Sequence, residues 1–173
     1  MGKPATVSPE TTPPIVVLTT GGTIDKTYFD ALSQYQIGES VVQKLLETAR
    51  VSYPFRIVEA LRKDSLDLTD ADREILRARV AELDATRLVI THGTDTMTET
   101  ARVLASLREK TIVFTGALSP ARFAESDAPF NLGMAFATAQ LAPPGVYITM
   151  SGQVFRADQV RKDRAAGRFV ALR

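Results

Sequence analysis

Two threonines stand among glycines at points where a chain must turn: Thr23 in Thr20-Gly21-Gly22-Thr23, and Thr94 in His92-Gly93-Thr94-Asp95-Thr96. Glycine lets a backbone turn tightly, so a hydroxyl carried there can approach a carbonyl closely. A threonine hydroxyl is a weak nucleophile until something takes its proton. Lys162 can take that proton if burial or a second cation has first removed its own. A neighbouring Asp95 carboxylate has the opposite effect and favours the ammonium. The lysine therefore either accepts a proton or tunes the Thr94 hydroxyl through hydrogen bonds, and both readings stand. Asp95 can also hold a ligand's ammonium. The Ser65 hydroxyl, with backbone N–H groups at helix starts, can hold a carboxylate. Together these groups describe a site for a small zwitterion with an attackable carbonyl.

Other chemistries fail for want of residues. The 173-residue chain has no cysteine, which removes disulfides, zinc thiolates and a cysteine nucleophile. His92 is the sole histidine. Its place in a strand-end turn fits a structural hydrogen bond better than a catalytic base. One histidine and no cysteine are too few soft ligands for a metal cluster, and none is expected. The GGT sequence is not a dinucleotide fingerprint and no GxxxxGK[ST] loop occurs, so no cofactor is expected. Net charge is +1, from 21 basic and 20 acidic residues. That argues against nucleic acid as a partner. No apolar run approaches the ~20 residues of a membrane helix, and no secretory signal opens the chain. The missing cysteines fit a reducing compartment, and a cytoplasmic setting is expected.

The elements that must position these groups alternate in type. IVVLT at 15–19, Phe55–Leu61, LVIT at 88–91, TIVFT at 111–115 and Val146–Met150 read as short buried strands. Helices are expected after Ser40, after Thr69 (with Asp72 completing a capping box), from Met97, and from Pro129 to about Leu141. The second of these should carry Ile75, Leu76, Val80 and Leu83 on one side. Residues 23–38 show no period and read as a long, mobile loop. Val154–Arg156 and Phe169–Leu172 are candidate edge strands. This pattern predicts a three-layer α/β fold of Rossmann-like or flavodoxin-like kind, with a mainly parallel five-stranded sheet and helices on both faces. A flexible leader is expected at 1–14 and a single domain over 15–173. Ligands of such sheets bind beyond the carboxyl ends of the strands. Thr23, Asp64-Ser65, the 92–96 turn, Gly116-Ala117 and Lys162 all follow strands.

Each of these residues alone has a plainer reading. Threonines after strands cap helices, loop carboxylates face water, and a lone lysine is usually a surface lysine. Only the joint pattern lifts the catalytic reading above those.

Four segments carry a specific resemblance. TTGGTI (19–24) and ITHGTDTMTETA (90–101) resemble the two signature motifs of the bacterial L-asparaginase family of threonine-dependent amidohydrolases. DSLDLT (64–69) and FTGALSPARFAESDAPFNL (114–132) resemble two further stretches of that family. The resemblance implies that Thr23 is the nucleophile forming an acyl-enzyme. It implies that Thr94, Asp95 and Lys162 form the second catalytic set. Asp95 would hold the substrate ammonium, Ser65 its α-carboxylate, and Gly22, Asp64, Gly93, Thr94 and Ala117 would complete the binding surface. A loop tyrosine assists the nucleophile in the family. Tyr28 is preferred here, with Tyr35 the alternative. The implied reaction is hydrolysis of the side-chain amide of L-asparagine. Another small amide such as glutamine or D-asparagine, a non-catalytic amino-acid-binding module, or a subunit feeding ammonia to a partner chain are the alternatives. Most family members are about twice as long, so a short form lacking the second domain is expected. Such a form should pair with copies of itself as a dimer or tetramer. Leu66 stands where glutamine is frequent and Ala128 where glycine is usual, so weaker substrate binding is expected, without strong glutaminase activity.

Overall fold

The structure is a computed structural model that describes residues 12–29 and 34–172. Most of the expected leader, up to residue 11, lies outside the described residues. In chain order the first elements are β1 (Ile15–Gly21), β2 (Lys26–Phe29), β3 (Gln34–Ile37), α1 (Val42–Thr48), β4 (Phe55–Lys63) and α2 (Asp70–Glu82). Then come β5 (Arg87–Thr91), α3 (Met97–Val103), β6 (Thr111–Thr115), α4 (Ala128–Leu141) and β7 (Gly145–Met150). Three short strands follow: β8 (Gln153–Arg156), β9 (Val160–Asp163) and β10 (Arg168–Ala171).

The central sheet has the order β4-β1-β5-β6-β7-β8, and its first five strands are parallel. It has six strands rather than five. The sixth, β8, comes from the tail and runs antiparallel to β7. Its tight return is made by Ser151 and Gly152, which have φ of 52° and 78°. Positive φ at both central residues defines the turn whose twist matches a hairpin. The second tail strand does not join this sheet. β10 pairs with β9 instead, with Phe169 opposite Lys162.

Buried parallel strands show continuous apolar runs, because both faces are covered. All seven residues of β1 are buried. Val16, Leu18, Leu88, Ile90, Ile112 and Phe114 pack with Leu76 and Val80 of α2 and Met97 and Ala101 of α3. Ile15, Val17, Val89 and Val113 pack on the other face with Val42 and Leu46 of α1 and Leu132 and Phe136 of α4. In α4, Ala128, Leu132, Ala135, Phe136 and Ala139 are buried, which is one helical stripe, and Pro129 sits in its first turn.

Thr69 and Asp72 form the expected capping box at the start of α2. Ile75, however, is half exposed rather than facing the core. The buried position one turn before Leu76 is Arg73, which bonds Asp70, Glu99 and Thr100. Residues 26–29 and 34–37 are not an irregular loop. They pair as an antiparallel hairpin, Tyr28 opposite Tyr35.

The strand order changes direction at β1: β4 lies on one side and β5 on the other. Loops leaving β1 and β5 therefore separate at a crevice, where ligands of open α/β sheets bind.

Candidate active site

The site is built at that crevice. β1 ends at Gly21, Gly22 has φ of +89°, and Thr23 opens a short 3-10 turn over Thr23–Asp25. A Cβ on Gly22 would strike the backbone N of Gly93 on the loop after β5. A Cβ on Gly93 would in turn strike the Ser65 hydroxyl. Three backbone segments thus meet with no room for a side chain between them. Thr23, Thr94 and Ser65 are neighbours for that reason.

Ser65 is 1% exposed and its hydroxyl has no hydrogen-bond partner among the described residues. A buried hydroxyl without a partner loses its solvation unless a ligand supplies a bond. The Ser65 carbonyl is held from behind by the Thr96 hydroxyl, 2.8 Å away. Asp64 points elsewhere. Its Oδ1 accepts from the N–H of Leu66 at 3.1 Å, and its Oδ2 pairs with Lys26 at 2.8 Å. Burial works against the charged form, but the Lys26 ammonium and the Leu66 N–H outweigh it and hold Asp64 below its ordinary pKa.

Lys162 arrives on β9. Its Nζ donates to Thr94 Oγ1 at 2.8 Å and to Asp95 Oδ1 at 2.7 Å. The lysine side chain is 14% exposed and that of Asp95 is 37%. The Lys162–Thr94–Asp95 cluster thus opens to solvent on the aspartate side. Thr94 itself is 6% exposed.

His92 lies behind this surface. It is fully buried, and its Nδ1 is 2.7 Å from the Gly93 carbonyl. A carbonyl only accepts, so Nδ1 carries the proton and Nε2 accepts from the Thr100 hydroxyl at 2.8 Å. Burial lowers the His92 pKa to about 4. The Gly93 carbonyl resists that shift and the Arg73 charge adds to it. The ring is neutral and structural, and it fixes the peptide plane that links Gly93 to Thr94.

Ala117 is 1% exposed with its methyl in the core beneath α4, so only its backbone faces the site. Tyr28 and Tyr35 are both half exposed, with ring centroids 5.4 Å apart, and Tyr35 continues to Phe123 at 6.2 Å. Among the described residues no carboxylate or histidine cluster is arranged to hold a metal ion.

Several supporting residues escape a sequence reading. The Asp25 carboxylate accepts from Val41 N–H at 3.0 Å and fastens the turn after Thr23 to the start of α1. Burial pushes its pKa up. Asp127 receives the N–H groups of Leu118 and Ser119, each at 3.0 Å. Asn131 donates to the Gly116 carbonyl and accepts from Ser151 N–H. The SDAPFNL stretch pointed to this segment but not to these bonds.

Two outcomes follow from this geometry. Gly22→Ala should cost about 1–3 kcal/mol, since it meets both positive φ and the Gly93 backbone; urea denaturation measures it. His92 has a folded pKa of about 4 against 6.5 ordinarily, so the unfolded chain alone takes up its proton between these values. Stability should then fall as pH drops from 6.5 towards 4, and that slope should flatten in His92→Gln.

Comparison with known proteins agrees with the geometry. The family described as "Asparaginase, N-terminal" matches residues 14–170. The chain is 34% identical over 161 residues to L-asparaginase 2 of Escherichia coli, covering 87% of this chain and 46% of that protein. It is 31% identical over 166 residues to a glutaminase-asparaginase of Acinetobacter glutaminasificans, covering 86% of this chain and 49% of that protein. The solved thermostable L-asparaginase from Thermococcus kodakarensis superposes with a TM-score of 0.80 at 27% identity, covering 91% of this chain and 51% of that one. The chain spans about half the length of these relatives. With its fold, its motifs and this match over nearly all its residues, the chain belongs to the asparaginase family, through that family's N-terminal domain.

Proposed function

We propose that the protein hydrolyses the side-chain amide of L-asparagine to L-aspartate and ammonia, with Thr23 as nucleophile. The observation that carries this reading is Lys162 bonded to both Thr94 and Asp95 beside the Gly22–Gly93 contact. The substrate carboxylate meets the unpartnered Ser65 hydroxyl, and its ammonium meets the open side of Asp95. This places the amide carbon between Thr23 and Thr94. The Thr23 oxygen attacks that carbon, its proton passes to the amide nitrogen, and ammonia leaves. Water then cleaves the resulting ester and releases aspartate. Backbone N–H groups near Gly22 and Thr94 stabilise the oxyanion, an effect commonly worth about 3–4 kcal/mol per donor.

The Lys162 contacts favour one of the two roles left open by the residue types. Lys162 Nζ is engaged as a donor by Asp95 at 2.7 Å and by Thr94 at 2.8 Å. It then orients the Thr94 oxygen rather than taking a proton from Thr23 directly. Leu66 is 66% exposed beside Ser65 and offers no polar contact to a longer side-chain amide. Asparagine should therefore be preferred over glutamine, although one similar protein is named for both activities.

Ammonia release from L-asparagine, L-glutamine and D-asparagine tests the reading. Thr23→Ala and Lys162→Met should keep the thermal midpoint and lose at least ~100-fold in turnover of L-asparagine. Near-normal turnover by Thr23→Ala would overturn the assignment.

A further inference from the structure

Lys26 belongs to no motif and sits three residues past Thr23, at the first position of β2. Its ammonium reaches Asp64 at the end of β4, 2.8 Å away. The two segments joined in this way do different jobs in the proposed reaction. One carries the nucleophile and leads into the tyrosine hairpin. The other presents the Ser65 hydroxyl. An open cleft beside the ion pair is lined by Lys26, Tyr35, Ile37, Asp64 and Leu66.

Asp64 is placed to transmit the link. One of its oxygens holds Lys26, and the other accepts from Leu66 N–H, so the same carboxylate caps the 3-10 turn Ser65–Asp67. Ser65 is already fixed on its other side, by Thr96 through its carbonyl and by the Gly93 backbone against its side chain. The hydroxyl thus has two fixed neighbours and one charged tie. The two segments are joined by backbone where Gly22 N–H donates to the Lys63 carbonyl at 3.2 Å, and by side chains at the charged tie.

We propose that Lys26 is a positioning residue: its ion pair with Asp64 holds the cap of the Ser65 turn against the segment after Thr23 and so fixes how the Ser65 hydroxyl is presented to the substrate carboxylate. This deepens the asparaginase reading and rests on it. Lys26 touches neither the amide nor the reacting oxygen, so this clasp governs binding and leaves the chemical step alone. Both side chains keep about a quarter of their exposure, 28% and 27%. Partly exposed pairs have modest effects, so the consequence is several-fold and not a loss of function.

The test uses the whole chain with Lys26→Met, Lys26→Arg, Asp64→Asn and the Lys26→Met/Asp64→Asn double variant. KM for L-asparagine should rise about fivefold in Lys26→Met, equivalent to about 1 kcal/mol, with kcat within about twofold. Lys26→Arg keeps the pair and should restore KM. Asp64→Asn loses the turn cap as well and should raise KM further, and the double variant should be no worse than Asp64→Asn. Amide hydrogen exchange supplies a readout free of turnover: Leu66 N–H should exchange faster in Lys26→Met than in the parent. An unchanged KM, an unchanged Leu66 exchange rate, or a fall in kcat with KM constant overturns the clasp. If the parent protein releases no ammonia from L-asparagine, the asparaginase reading fails, and the exchange rate alone then decides whether the clasp exists. A Lys26→Met chain that does not fold is replaced by comparing Lys26→Arg with Asp64→Asn in the same two measurements.

Discussion

The site depends on one close approach, the backbone of Gly22 against that of Gly93. β1 and β5 are hydrogen-bonded neighbours up to Thr19 and Thr91, and their chains leave the sheet together at the switch in strand order. A side chain at either glycine would push the two loops apart, or push Gly93 off Ser65. With glycine at both places, a nucleophile candidate, a second threonine and the buried, partnerless Ser65 hydroxyl meet although they are far apart in sequence. The cost is backbone strain, since Gly22 sits at positive φ where other residues are disfavoured.

Much of this was legible in the residues. Buried strands stand out because burial on both faces demands unbroken apolar runs, as in IVVLT and TIVFT. The capping box at Thr69–Asp72 and the first-turn Pro129 mark helix starts by local hydrogen-bond logic that needs no tertiary context. Thr23, Thr94, Asp95 and Lys162 stand out together through the resemblance of their segments to the family's motifs, and of these Lys162 bonds Thr94 and Asp95. The hairpin over 26–37 was not legible. Tyr28, Gln34, Tyr35 and Gln36 are all exposed, and a strand shows its period only when one face is buried. Ile75 is half exposed where a core position was expected, while Arg73 is buried and satisfies its charge with Asp70 and Glu99. The ties made by Lys26, Asp25, Asp127 and Asn131 were hidden for another reason: which carboxylate meets which N–H is a property of the fold, and spacing along the chain does not encode it.

The electrostatic arrangement separates support from chemistry. The one histidine is neutral, buried and used to orient the Gly93–Thr94 peptide. The cationic side chains work as hydrogen-bond donors to oxygens, Lys162 to Thr94 and Asp95 and Lys26 to Asp64. Acyl transfer in such a site falls to hydroxyls whose orientation is set by fixed neighbours, and preorganised groups of that kind contribute without reorganising during reaction.

The central claim is that Thr23 carries the acyl group. Acid quenching during turnover of L-asparagine, followed by peptide mass spectrometry, reads it directly. The account predicts one aspartyl ester on the peptide containing Thr23, and its absence from Thr23→Ala. An aspartyl group on Thr94 or any other residue, or steady turnover with no ester formed at all, would contradict it.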